Sequence, residues 1–164
     1  MDFPSNDTLD AMTAEELYAV LAKLYPLFIE ERRGAMRRQS TVSRILNGLM
    51  SAGGSGELNY LDTRFYESVE AICARIAERL KAMPAQEAGE LALRTTRFVL
   101  FPEGDFSGSS AMILGACDYL CCPFLAYLDA DTLAELKRDY LRHTPKRSMF
   151  PKQVELLKKM GKGK

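Results

Sequence analysis

The chain is predicted to be all-α, a single bundle of about five to seven helices, some of them kinked or broken by proline. Three observations predict this. Apolar residues recur at spacings of three and four along most of the sequence, the period that lines one face of an α-helix. No two β-prone runs are joined by a hairpin turn, so no strand pair can be drawn. At 164 residues and 47% apolar content, the chain can bury one ordinary core without disulfide or metal staples. No internal repeat is present. Residues 1–12 are expected to form a flexible lead, 13–160 the helical domain and 161–164 a frayed end.

Taken in order, Thr13 and Glu16 have the spacing of a capping box, each side chain reaching the other's backbone N–H. The helix that follows carries Leu17, Val20, Leu21, Leu24, Phe28 and Ile29 on one stripe. Pro26 lies inside it, and its missing N–H predicts a kink or break near Leu24. A second helical stretch is expected over about 35–50, with Val42, Ile45, Leu46 and Leu49 apolar, stopped by the glycine-rich run 51–56. The strongest stripe is in 61–82, through Leu61, Phe65, Val69, Ile72, Cys73, Ile76 and Leu80. Pro84 suits the first turn of a helix over about 85–97. Arg97 to Pro102 then reads as a helix end or an extended connector. Residues 102–109 are loop, a helix over 109–122 ends at Pro123, and Asp131 is expected to cap a helix from Thr132 to His143. Thr144-Pro145 closes that helix, because the residue before proline avoids the α region. Pro151 opens a last short helix with Val154, Leu157 and Met160.

The formal net charge of zero conceals a strong asymmetry. Residues 45–136 carry a net −7, whereas residues 137–164 carry ten Lys or Arg against two acids, a net +8. A basic tail behind an acidic body can contact nucleic acid, an anionic surface or its own body, and folding back on the body is the default expectation. The polar start of the chain lacks the basic-then-apolar pattern of a secretory signal. No apolar run approaches the roughly 18 to 20 residues of a membrane helix. A cytoplasmic chain, not inserted in a membrane and with reduced thiols, is therefore expected.

Of the four cysteines, Cys117 and Cys121 share a helix face and Cys122 adds a third sulfur. The paired C-x-x-C knuckles of a zinc site are missing, so the cysteines read as buried small hydrophobes. No metal and no cofactor are expected.

The best lead to chemistry is Arg138-Asp139-Tyr140-Leu141-Arg142-His143, which contains the only histidine of the chain. It resembles the signature of the HEPN superfamily of all-helical ribonucleases and nucleotide-binding proteins: an arginine, a polar residue, about three further residues and a histidine. The resemblance covers six residues, together with an all-α chain of similar size bearing the motif late in its length. It implies a metal-independent endoribonuclease. In that reading His143 exchanges a proton with the RNA 2′-hydroxyl or the leaving oxygen, Arg138 holds the scissile phosphate, and Asp139 orients the pair. It also implies a homodimer, since two subunits' motifs commonly meet in that family. Imidazole and the guanidinium fork suit these roles. On a regular helix, however, positions five apart lie about 140° round the axis from each other, so the last turn must unwind or a second helix complete the site. The alternative is plain capping: arginine and histidine in a last turn meet the negative end of the helix dipole.

Three further features have a functional and a structural explanation each. Ser107, Gly108 and Ser109 before a helix could present N–H groups to an anion, or simply cap it. Arg32, Arg33, Arg37, Arg38 and Arg44 could grip a phosphate backbone, or form a solvated face, since Glu30 and Glu31 adjoin and no aromatic is interleaved. Lys146, Arg147, Lys158 and Lys159 in the tail extend the basic surface and could dock on a partner's groove. The leading expectation is a helical protein-interaction or regulatory module without catalytic activity, acting on a protein partner. The HEPN-like endoribonuclease is its alternative, and non-catalytic nucleic-acid binding through the basic segments ranks third.

Overall fold

The amino-terminal lead is partly helical. Helix α1 (Asn6–Asp10) is capped by Ser5, whose hydroxyl accepts from the Thr8 N–H at 3.3 Å, and it buries Leu9. The computed structural model describes residues 3–38, 56–102, 109–144 and 149–161, and for 109–111 the backbone. Among them are seven α-helices and one 3-10 helix, and no strand. The predicted all-α bundle is the architecture found.

Helix α2 (Ala14–Arg38) starts at the expected capping box. The Thr13 N–H donates to Glu16 Oε2 at 2.8 Å and the Glu16 N–H donates to Thr13 Oγ1 at 3.3 Å. These bonds hold the Glu16 carboxyl below its ordinary range. The predicted break at Pro26 does not occur, and α2 runs on to Arg38. Proline removes one backbone hydrogen bond, but the buried face on both sides of it (Leu17, Leu21, Leu24, Tyr25, Phe28, Ile29) packs continuously. A helix starting near residue 35 is therefore not separate from the first. The rest of that expected helix, with Arg44 and most of the glycine-rich run, lies outside the described residues.

Helix α3 (Gly56–Leu80) buries the predicted stripe against α2. The two run antiparallel, because Arg32 meets Asp62, Phe28 and Tyr25 meet Phe65, and Asp10 meets Arg75. Phe28 and Phe65 stack at 3.9 Å between ring centroids, and Tyr25 sets its edge against Phe65 and Phe98, both at 5.0 Å. Burying each such ring contributes roughly 2–3 kcal/mol by area alone. This aromatic cluster joins α2 and α3 to α4 (Ala85–Leu100). Of the two readings of residues 97–102, helix end or connector, the first holds: α4 runs to Leu100, since Val99 and Leu100 are buried.

Helix α5 (Ser109–Cys117) passes into a ten-residue 3-10 helix, Asp118–Tyr127, with Pro123 inside it. The expected α-helix over 109–122 thus tightens at Asp118, five residues before the proline. Such a 3-10 run is long for its kind, and it is covered by α3, α4 and α7. Helix α6 (Ala130–His143) is capped by Asp129 instead of Asp131, with the Thr132 N–H donating to Asp129 Oδ1 at 2.7 Å. Helix α7 (Pro151–Met160) follows, and Leu156 and Met160 anchor it on the 3-10 helix and α6. The basic tail does fold back on the body through this helix. No helix among the described residues is long and apolar enough to cross a membrane.

Candidate functional site

Asp118, at the start of the 3-10 helix, is the one buried carboxylate among the described residues, at 6% exposure. Its Oδ2 accepts from the Tyr140 hydroxyl of α6 and, at 2.8 Å, from Gln153 Nε2 of α7. Gln153, 4% exposed, also donates to the Gly115 carbonyl at 3.4 Å, and its Oε1 accepts from the Phe150 N–H at 2.9 Å. One carboxylate therefore ties together three elements that are distant in sequence. Burial pushes the Asp118 carboxyl up to about 6, against the two donors that favour its charged form. Burial, with the Asp118 charge next to it, also pushes the Tyr140 phenol well up. Tyr25, Cys117 and Cys121 stand near enough to feel that charge, and all three are held neutral chiefly by burial. The Tyr25 and Thr96 hydroxyls are buried with no hydrogen-bond partner among the described residues.

The network fixes α7 as one wall of an open cleft of about 420 Å³. Cys73 and Ala74 of α3 and Leu120, Cys122 and Pro123 of the 3-10 helix make its apolar floor. Tyr66 and Tyr119 stand as aromatic walls, and Glu70, Lys152 and Lys159 carry charge around them. The Lys159 ammonium donates to the Tyr119 hydroxyl at 3.0 Å, which donates to Glu155 Oε1 at 2.8 Å. Lys159 lies over the Tyr119 ring at 4.8 Å. The bond to Tyr119 raises the Lys159 ammonium above its ordinary value. Lys152 lies 5.7 Å from the Tyr66 ring centre and 5.9 Å from that of Tyr119. Cys122 is half-buried, its thiol pushed up to about 11 by burial while nearby Lys159 pulls it down. A thiol so placed is mostly protonated and a poor nucleophile. Concavity, an apolar floor and a few convergent polar groups are the properties of a binding site.

The residues nominated from the sequence are spread over the molecule. Arg138 and His143 are exposed on the outer part of α6. Neither makes a hydrogen bond or ion pair to the other or to Asp139 among the described residues. Asp139 pairs instead with Arg142 at 3.3 Å. The His143 ring sets its edge against Phe101, with centroids 5.6 Å apart. The helix does not unwind to bring Arg138 to His143 within this chain, since α6 is regular to its end.

Arg32 is not on the basic surface expected of it. It is 5% exposed and grips Asp62 of α3 with two bonds of 2.7 and 3.2 Å. Arg38 pairs with Glu57 at 2.5 Å, while Arg33 and Arg37 are exposed. Lys158 is exposed on α7, whereas Lys159 belongs to the cleft. Ser107 and Gly108, the side chain of Ser109, and Arg44, Lys146 and Arg147 lie outside the described residues. The described residues contain no group of three or more His, Cys, Asp or Glu side chains able to hold a metal ion.

Sequence reasoning missed Asp118, Tyr140, Gln153, Tyr66, Tyr119 and Lys152. One signal was available: Asp118 is a lone acid within the apolar run Ala111–Leu128, where a charge needs a buried partner. Compared with known protein families, curated proteins and solved structures, the chain matches none.

Proposed function

We propose that this chain is a non-catalytic helical binding module that holds a partner protein in the cleft between α3, the 3-10 helix and α7. The cleft is the observation that carries this reading. It combines tyrosine walls and an apolar floor, which favour protein contacts, with lysines that add charge to the same concavity. Its two thiols, Cys73 and Cys122, are both held protonated by burial. The buried carboxylate is occupied in joining helices. A cytoplasmic setting with reduced thiols belongs to the same reading.

Photo-crosslinking tests it. A benzophenone side chain replaces Tyr119 and, in a control, Ala82, which lines a separate hollow with Arg79 and Met83. In extract of the source cells, the Tyr119 position is expected to give a discrete protein adduct that excess untagged chain competes away. No adduct, or the same adducts from both positions, contradicts the reading.

A metal-independent endoribonuclease using Arg138 and His143 is the second reading. It is favoured by both side chains facing solvent without a hydrogen bond or ion pair among the described residues, so that a second copy could complete the site. Incubation with mixed RNA in EDTA, beside His143→Ala, decides it. Cleavage that survives chelation and disappears in the variant makes this reading the correct one, and no cleavage by either protein removes it.

A further inference from the structure

We infer that the cleft takes an acidic peptide segment, with an aspartate or glutamate carboxylate set on Lys152 and a neighbouring apolar side chain on the floor of Leu120, Cys122 and Pro123. The inference rests on reading the chain as a binding module and adds the chemistry of the partner.

Lys152 decides it. At least nine cations of the described residues have a carboxylate within ion-pair distance, among them Arg75 with Asp10, Arg97 with Glu135 and Lys81 with Glu78. Among the described residues Lys152 has no such carboxylate, although Glu70 lines the same cleft. Its contacts are a long 3.4 Å bond to the Tyr66 hydroxyl and the two tyrosine rings. Ring faces attract an ammonium without satisfying its three N–H donors. An incoming carboxylate would complete that shell and displace only solvent.

The rest of the cleft selects among anions. Tyr119 is held between Lys159 and Glu155, so its ring is a fixed wall that loses little freedom on binding. Lys152 and Lys159 lie two turns apart on one face of α7, about 10 Å along its axis. On one face of an extended peptide, side chains two and four residues apart span about 7 and 13 Å, which brackets that length. Glu70 and Glu155 disfavour a continuous phosphate backbone but leave room for separate carboxylates. The apolar floor gains nothing from a sugar–phosphate chain and accepts a leucine or phenylalanine side chain.

The test uses the intact chain and two synthetic decapeptide pools of equal apolar content, one filled out with Asp and Glu, the other with Lys and Arg. Binding is followed by the NMR shifts of the Tyr66 and Tyr119 rings. The acidic pool is expected to move both rings, and Lys152→Glu to weaken it about tenfold, with Lys152→Met intermediate. Lys158→Glu makes the same change in net charge from an exposed position outside the cleft lining and should leave binding within about twofold. Equal response to both pools, no response to either, or equal losses from Lys152→Glu and Lys158→Glu overturns the inference. If the Tyr119 crosslink captures a partner through a segment without acids, the inference fails while the binding module stands. If no partner is captured and neither pool binds, both fall.

Discussion

Asp118 shows how one side chain can cost stability and still organise a structure. Its carboxyl is held near 6 instead of near 4, so the folded chain binds its proton more tightly than the unfolded chain. The sign follows: its favourable contribution is complete below about pH 4 and is lost as pH rises through about 6. Above that, ionised Asp118 costs on the order of 3 kcal/mol, offset in part by packing that depends on the same bonds. Asp118→Asn keeps an acceptor for Tyr140 and Gln153 and removes the titration. Urea midpoints of the variant should therefore lack the wild-type decline between pH 4 and 7, and should exceed wild type at pH 7.5. Matching pH profiles would contradict the assignment. Gly115 is needed beside this pair, because a Cβ there would stand 3.0 Å from Gln153 Nε2. Gly115→Ala must push the Gln153 amide, already bonded to Asp118, by a few tenths of an ångström. That strain of about 1–2 kcal/mol is set against the roughly 1 kcal/mol that Ala gains over Gly in a helix, so a net loss of no more than about 1 kcal/mol in denaturant titration is expected.

Between elements, buried side chains override local propensity. Pro26 favours a kink or a break, yet α2 stays one helix; the buried face running past it onto α3 outweighs one missing hydrogen bond. The same pair of helices hides Arg32, which in sequence looked like part of a basic face. Arg32→Ala strands Asp62 at the helix interface and should cost about 3 kcal/mol, whereas Arg32→Met, which keeps the packing, should cost less when paired with Asp62→Asn. Phe65→Ala removes a ring that touches both Tyr25 and Phe28 and should cost about 4 kcal/mol. Thermal or urea unfolding followed by circular dichroism measures each. Elements whose signals are local were legible: the Thr13–Glu16 box, the 61–80 stripe and Pro151 at the start of α7. The passage into a 3-10 helix at Asp118 was not, since it depends on what packs around that residue.

At the scale of the molecule, the bundle was legible because apolar period and helix length are written along the chain. The candidate site was not. Tyr66, Tyr119 and Lys152 come from segments 33 or more residues apart, and only the folded path of α7 across the 3-10 helix brings them to one cleft. Conversely, Arg138 and His143 were conspicuous in sequence because they are close there, and a helix separates them in space. The charge asymmetry also has a structural counterpart. The basic tail lays α7 on a body that bears Asp118 inside and Glu70 outside.

That α7 is held in place by Asp118 and Gln153, so that the cleft exists before any partner arrives, is the claim on which the rest depends. Amide hydrogen exchange of the intact chain tests it directly. Amides of α7 from Val154 to Met160 should be protected in the free protein, and Gln153→Ala should speed their exchange while leaving α3 between Val69 and Ile76 unchanged. Exchange of the wild-type α7 amides at the rate of an unstructured peptide would contradict the account.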